Sequence, residues 1–313
     1  MTTGVFRYLD PATVEPGSKP WSKVDTDAAN SYARTERRRS VSDLRPFLSG
    51  DAPAAPGFAT DIDVAGFAVH HAPARERLFV DDAAVRNGYY AEVEALLRAK
   101  LPGIHKVVIF DHTIRKHDPA APRQPVQGVH VDQTPGAAAA RVRRHVQPAA
   151  EAEDLLRGRF QLINVWRPIG HAASDFPLAV VDWRTTDPAD LVAVDLLYPA
   201  ARTADPANPA DDDDRGKEQL PDPASAASTA GYEIRGETYS VAPSPRHKLY
   251  YVKDMAPDEA MFIKCFDSWS QGQPAGRDGV AALTPHTAFI DPGTSSDAKP
   301  RESIEVRCLV FYE

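Results

Sequence analysis

Gly128-Val129-His130-Val131-Asp132 lies inside a run, Val126 to Gln133, whose β-branched residues and flanking prolines have the composition of a half-buried strand. Strand side chains alternate faces, so His130 and Asp132 point one way while Val129 and Val131 point the other. An imidazole and a carboxylate are thereby aimed at one point. Joined by a second histidine from elsewhere in the chain, they would form the facial triad of non-haem Fe(II) oxygenases, which leaves metal positions open for a co-substrate and dioxygen. Ten histidines and 44 acidic residues among 313 give about 1.4 such His-x-Asp/Glu pairs by chance, so the pair gains meaning only from its company. Downstream, His286 sits in Thr284-Pro285-His286-Thr287-Ala288-Phe289, and Arg301-Glu302-Ser303 follows at the mouth of a last strand. An arginine there suits a carboxylate, because its planar guanidinium binds one through two parallel hydrogen bonds. By alternation Arg301, Ser303, Glu305 and Arg307 share a polar face that would line the site, and Ile304, Val306, Cys308 and Val310 share the other.

Outward from these motifs, nine runs read as strands: Lys106 to Arg115, Val126 to Gln133, Phe160 to Arg167, Phe176 to Trp183, Glu237 to Ala242, Lys248 to Lys253, Met261 to Asp267, Pro285 to Ile290 and Ser303 to Tyr312. Their number predicts an antiparallel sandwich or barrel. Two helical patterns interrupt them. Asp82 to Lys100 carries Val85, Tyr89, Val93, Leu96 and Leu97 on one stripe, and Ala137 to Leu156 must break at Pro148. The first sixty residues read as an extended arm over the core, residues 61–313 as the main domain. The Pro-rich acidic segment at about 199–230, with Asp211 to Asp214 in a row, reads as a surface insertion.

A 42% hydrophobic, 26% charged composition without a long apolar run predicts a soluble protein with no membrane partner. The start, MTTGVFRYLD, has no apolar leader segment, from which a cytoplasmic location is expected. Cys265 and Cys308 show no metal or redox spacing and are read as reduced. A net charge of −8 argues against nucleic acid as a partner, and nothing in the sequence bears on oligomeric state. Dinucleotide, P-loop, serine-hydrolase and zincin motifs are all missing.

Six blocks in order, Phe110 to Arg115, Val129 to Pro135, Asn164 to Ile169, Phe176 to Ala179, Thr284 to Phe289 and Arg301 to Arg307, resemble the oxygenase family that includes the fungal gibberellin desaturase, AsaB-type hydroxylase/desaturases and the CmcJ component of cephamycin methoxylation. The resemblance covers roughly residues 60 to 313. It implies a mainly β, double-stranded β-helix (jelly-roll, cupin-like) fold with flanking helices, Fe(II) as metal, 2-oxoglutarate and dioxygen as co-substrates, and a small-molecule substrate from specialised metabolism that is hydroxylated, desaturated or cyclised at an unactivated C–H bond. Carried over residue by residue, it puts the metal ligands at His130, Asp132 and His286 and the 2-oxoglutarate clamp at Arg301 with Ser303. Asn164 and Arg307 are further cofactor-binding candidates. The alternatives are a metal-binding β-barrel without turnover and an iron oxidase that does not use 2-oxoglutarate.

Other polar residues carry expectations of their own. Trp166 and His112 read as core, and His117, His145, His171 and His247 as surface. Strand parity puts Lys264 and Asp267 on opposite faces, which predicts a solvated lysine and no salt bridge between the two.

Overall fold

The alternation expected at the C-terminal end sets up the architecture. Ile304, Val306, Cys308 and Val310 are fully buried on one side beneath a helix, while Ser303, Glu305 and Arg307 face inward. The computed structural model describes residues 1–24, 29–50, 60–121, 123–199 and 228–313. The run Asp211 to Asp214 lies outside the described residues. In chain order the described strands are β1 Thr2–Leu9, β2 Trp21–Lys23, β3 Arg34–Asp43, β4 Phe67–His71, β5 Ile104–Lys116, β6 His130–Val131, β7 Phe160–Pro168, β8 Leu178–Val181, β9 Leu191–Pro199, β10 Tyr232–Val241, β11 Leu249–Tyr251, β12 Glu259–Asp267, β13 His286–Ala288 and β14 Glu302–Tyr312.

These strands form two sheets. One has the order β1-β3-β11-β8-β13-β6-β10-β9-β2, the other β4-β12-β7-β14-β5. Their inner faces pack on each other as a jelly roll: Phe67, Trp166, Met261 and Ile263 of the smaller sheet meet Leu178 and Val180 of the larger. Helix α1, Tyr90–Lys100, covers the outside of the smaller sheet, entered through a π-turn at Val85–Tyr89. Val85, Tyr89, Val93 and Leu97 form its buried stripe, each contributing about 1.5–3 kcal/mol of burial. The second helical pattern splits as expected near Pro148 into α2, Pro135–His145, and α3, Ala149–Arg157.

All nine expected strands are present. The opening residues differ from the arm read in the sequence, because β1 and β3 are full members of the larger sheet, paired antiparallel from Thr2↔Val41 to Leu9↔Arg34. The Arg-rich run reads in one dimension as extended chain over the core; in the sheet it pairs with β1 along its length, and its Glu36 meets Arg7 across the pair at 3.2 Å.

A second difference concerns Lys264. It is fully buried, and its Nζ lies 2.7 Å from Asp267 Oδ2 and 2.7 Å from Asp63 Oδ1. The parity argument fails because the pairing of β12 with β7 shifts register between Lys264 and Phe266; a bulge there returns Asp267 to the face of Lys264. Arg159 completes the cluster, 2.7 Å from both carboxylates.

Removing Lys264 leaves Asp267 buried beside fewer cations, so Lys264→Met should cost about 3–5 kcal/mol of unfolding free energy in urea titrations. Burial alone would raise the Asp63 carboxyl, but Lys264 and Arg159 outweigh it and hold it at about 2, below its ordinary 3.8; Asp267 is lowered by the same two cations. In that window the unfolded chain binds more protons. The contribution of these carboxylates is therefore complete above about pH 4 and should be lost as the pH falls toward 2, and Asp63→Asn should flatten that part of the stability-against-pH curve.

Candidate active site

His130 on β6 and His286 on β13 are directly opposed across one antiparallel pair, their ring centroids 4.4 Å apart. Asp132, two residues along from His130, points the same way. Its Oδ1 lies 3.4 Å from His130 Nε2 and 4.0 Å from His286 Nε2, and the three donor atoms fall within 4.8 Å of one another.

Each ring is oriented from behind. His130 Nδ1 donates to the Gly128 carbonyl at 2.8 Å and His286 Nδ1 to the Thr284 carbonyl at 3.0 Å. A carbonyl can only accept, so each Nδ1 carries a proton and Nε2 is the ring nitrogen turned toward Asp132, the one that would ligate a metal. Burial lowers the His130 imidazole, but the Asp132 carboxylate outweighs burial and raises it. Burial, then the neighbouring His130, lowers His286 to about 4, which keeps it neutral. Burial opposes ionisation of Asp132, but His130, Arg307 and His286 together hold its carboxyl well below the usual range. A carboxylate and two imidazoles whose donor atoms converge in this way fit a divalent cation that favours mixed N/O donors.

The far oxygen of Asp132 is held as well. Asn164 Nδ2 donates to Oδ2 at 2.8 Å, and Arg307 Nε stands 3.4 Å from the same atom while its Nη1 bonds Asp111 at 2.8 Å. Asn164 and Arg307, two of the cofactor-binding candidates, thus touch the carboxylate of the triad.

Arg301 is 2% exposed and has no carboxylate within ion-pair distance among the described residues. Its Nη1 donates to the Phe176 carbonyl at 2.6 Å, its guanidinium lies 5.5 Å over the Trp166 ring, and its Nε has no hydrogen-bond partner. Phe176 has φ of 43°, a left-handed conformation strained for an aromatic residue, and its carbonyl is the one that meets the guanidinium. Burial and then the like charge of Arg115 lower Arg301 to about 9, a cost that an incoming carboxylate would relieve. Ser303 is buried two residues along and pairs with Arg115 of β5. These observations fit a dicarboxylate held from one end.

The strand face that carries Glu305 is expected from the sequence to line the site, but sequence reasoning gives Arg115 no role of its own. In the β14–β5 register Ser303, Glu305 and Arg307 lie opposite Arg115, Thr113 and Asp111, so all six share the inward face. The polar alternation Asp111, Thr113, Arg115 was the signal available. His112 is bonded to Tyr90 at 2.9 Å, and Trp166 is core. His117, His145 and His171 are partly exposed. His247, expected at the surface, is instead buried with Nε2 3.1 Å from Asp190, because the β10–β11 turn folds it beneath Tyr8.

A cavity of about 410 Å³ opens on His130, Asp132 and Arg307 and runs beneath β1, β2 and β3. No described helix is long and apolar enough to cross a membrane.

The family model described as an oxidoreductase/YMDC permease-like domain matches residues 6–215 and 217–311. A hydroxylase/desaturase, AsaB, of Aspergillus flavus is 38% identical over 165 residues, 53% of this chain and 61% of its own length. The Fe(II)/2-oxoglutarate-dependent dioxygenase NvfI of Aspergillus novofumigatus is 34% identical over 239 residues, 75% of this chain and 71% of its own. The solved structure of the iron and alpha-ketoglutarate-dependent endoperoxidase NvfI superposes with a TM-score of 0.71 at 25% identity, covering 99% of this chain and 97% of that one.

Asn164→Leu removes the donor to Asp132 Oδ2 and should weaken Co(II) binding about 10- to 100-fold in anaerobic titrations followed by visible absorption, whereas Asp132→Ala should abolish it. Wild-type affinity in either variant contradicts the arrangement.

Proposed function

The chain belongs to this oxidoreductase family, alongside the Fe(II)/2-oxoglutarate-dependent hydroxylase/desaturases, and from that premise we propose that it is an Fe(II)- and 2-oxoglutarate-dependent dioxygenase acting on a small molecule of specialised metabolism. His130, Asp132 and His286 hold the iron through Nε2, a carboxylate oxygen and Nε2. Asn164 and Arg307 fix the Asp132 carboxylate so that Oδ1 faces the two rings. Arg301 holds the distal carboxylate of 2-oxoglutarate, with Ser303 as a further donor from the same strand face. The bound metal, with 2-oxoglutarate and dioxygen, supplies the oxidation of an unactivated C–H bond, with succinate and carbon dioxide as co-products. The protein's share is placement and exclusion of water: Val126, Val129 and Leu196 line the cavity beside the triad. The cytoplasm suits this chemistry, since Cys265 and Cys308 are buried free thiols.

One observation carries this reading: a nitrogen each of His130 and His286 and a carboxylate oxygen of Asp132 converge within 4.8 Å, the two histidines on neighbouring strands of one sheet. The buried, carboxylate-free Arg301 favours an oxygenase that takes a keto acid over an oxidase that does without one, and the relatives lend no support to a barrel without turnover.

Anaerobic Fe(II) with 2-oxoglutarate should give a visible charge-transfer band. Arg301→Ala should raise the 2-oxoglutarate concentration needed for half-saturation of that band at least tenfold, the loss of one charge-assisted pair. An unchanged midpoint removes Arg301 from the role.

A further inference from the structure

The cavity beside the triad is far more basic than the molecule that contains it. Among its described lining side chains seven are Lys or Arg and one, Asp132, is acidic, in a chain whose net charge is −8. Apolar residues such as Leu9, Val24 and Leu196 fill much of the remaining wall. Most of the cations are engaged with the protein: Arg7 with Glu36, Arg307 with Asp111 and Asp132, and Arg141 over the Phe110 ring.

Arg34, the first residue of β3, is different. It is partly buried, lines the cavity, and has no hydrogen bond or ion pair to any described residue. Its guanidinium lies flat on the backbone at Gly128: a Cβ built at Gly128 would stand 2.9 Å from Arg34 Cζ and 3.1 Å from one Nη. The missing side chain at Gly128 is therefore the space the guanidinium occupies. Gly128 lies two residues before His130, about 7 Å along an extended chain, and its carbonyl accepts the His130 Nδ1 proton. The same glycine orients a triad member and seats a cation whose donors are unspent.

Resting on the reading of the site given above, we propose that Arg34 is a specificity residue that binds a carboxylate of the substrate, and that the substrate is an amphiphilic organic acid. Its apolar body lies along Leu9, Val24 and Leu196, and its acid group meets Arg34 through the guanidinium edge not stacked on Gly128. A guanidinium edge suits a carboxylate because two N–H donors match its two oxygens. Arg34 is a separate cation from Arg301, which does not line this cavity, so substrate acid and 2-oxoglutarate are held by different arginines.

The test uses the full chain, loaded anaerobically with Fe(II) and saturating 2-oxoglutarate so that the co-substrate site is filled. 2-Naphthoic acid and its uncharged methyl ester are titrated by calorimetry. The wild type should bind the acid at least tenfold more tightly than the ester, Arg34→Gln should weaken the acid about tenfold and leave the ester unchanged, and Arg34→Lys should fall between. Gly128→Ala, which pushes the guanidinium from its seat, should reproduce the loss of acid binding. The charge-transfer band in each variant reports the 2-oxoglutarate site independently: a wild-type enzyme without the band refutes the oxygenase reading, whereas a normal band with no preference for the acid, or no saturable binding of it, refutes the role of Arg34. Loss of 2-oxoglutarate affinity in Arg34→Gln would also overturn the proposal, since it would assign this arginine to the co-substrate.

Discussion

A single paired position, His130 opposite His286, joins β6 to β13, and the assembly of three donors depends on that register. A slip of one residue in β13 would turn His286 to the far side of the sheet and leave Asp132 facing one ring, and a slip in β6 would turn His130 and Asp132 away together. Strands of two and three residues could not hold such a register by themselves. Their neighbours hold it: Ser240 of β10 lies opposite His130, Val180 of β8 lies opposite His286, and the Thr238 hydroxyl donates to the Val131 carbonyl at 2.5 Å. The apolar contact between the two sheets keeps Asp132, beside the paired histidines, against Asn164 and Arg307 of the opposite layer. The long, well-paired strands β7 and β14 thus provide the fixed surface against which the short strands present the donors.

The electrostatics follow from that placement. Asp132 is an anion in a buried setting, which would be costly without Asn164, Arg307 and the imidazoles around it. Glu305, close by and more weakly compensated, is pushed up by burial and by Asp132. Two cations of the site stand apart from this balance. Arg301 is buried against an aromatic ring and a carbonyl, and Arg34 rests on a glycine, neither with a carboxylate within ion-pair distance among the described residues.

The pair His130 and Asp132 was legible in the sequence because its signal is local, whereas His286, about 150 residues on, entered only through the ordered blocks of the family resemblance. His130 and Asp132 share a strand face by parity, and His286 and Arg301 follow in blocks whose order is itself informative. Helix α1 was legible for the same reason, its stripe of Val85, Tyr89, Val93 and Leu97 being periodic. What parity could not reveal was any place where the ladder is irregular. The bulge between Lys264 and Phe266 reverses the face of Asp267 and turns two residues predicted to be strangers into a buried pair. Nor could it reveal cross-strand partners. The strand character of the Arg-rich run at β3 depends on β1 opposite, the inward face of Arg115 becomes meaningful only beside Ser303, and the seat of Arg34 is made by a glycine nearly a hundred residues away.

The most direct measurement is anomalous diffraction at the iron edge from an anaerobic crystal of the full chain with Fe(II) and 2-oxoglutarate. The account predicts one strong peak about 2 Å from His130 Nε2, His286 Nε2 and an oxygen of Asp132, with the distal carboxylate of the keto acid on Arg301. A peak that misses either imidazole, or a keto acid held away from Arg301, would contradict it.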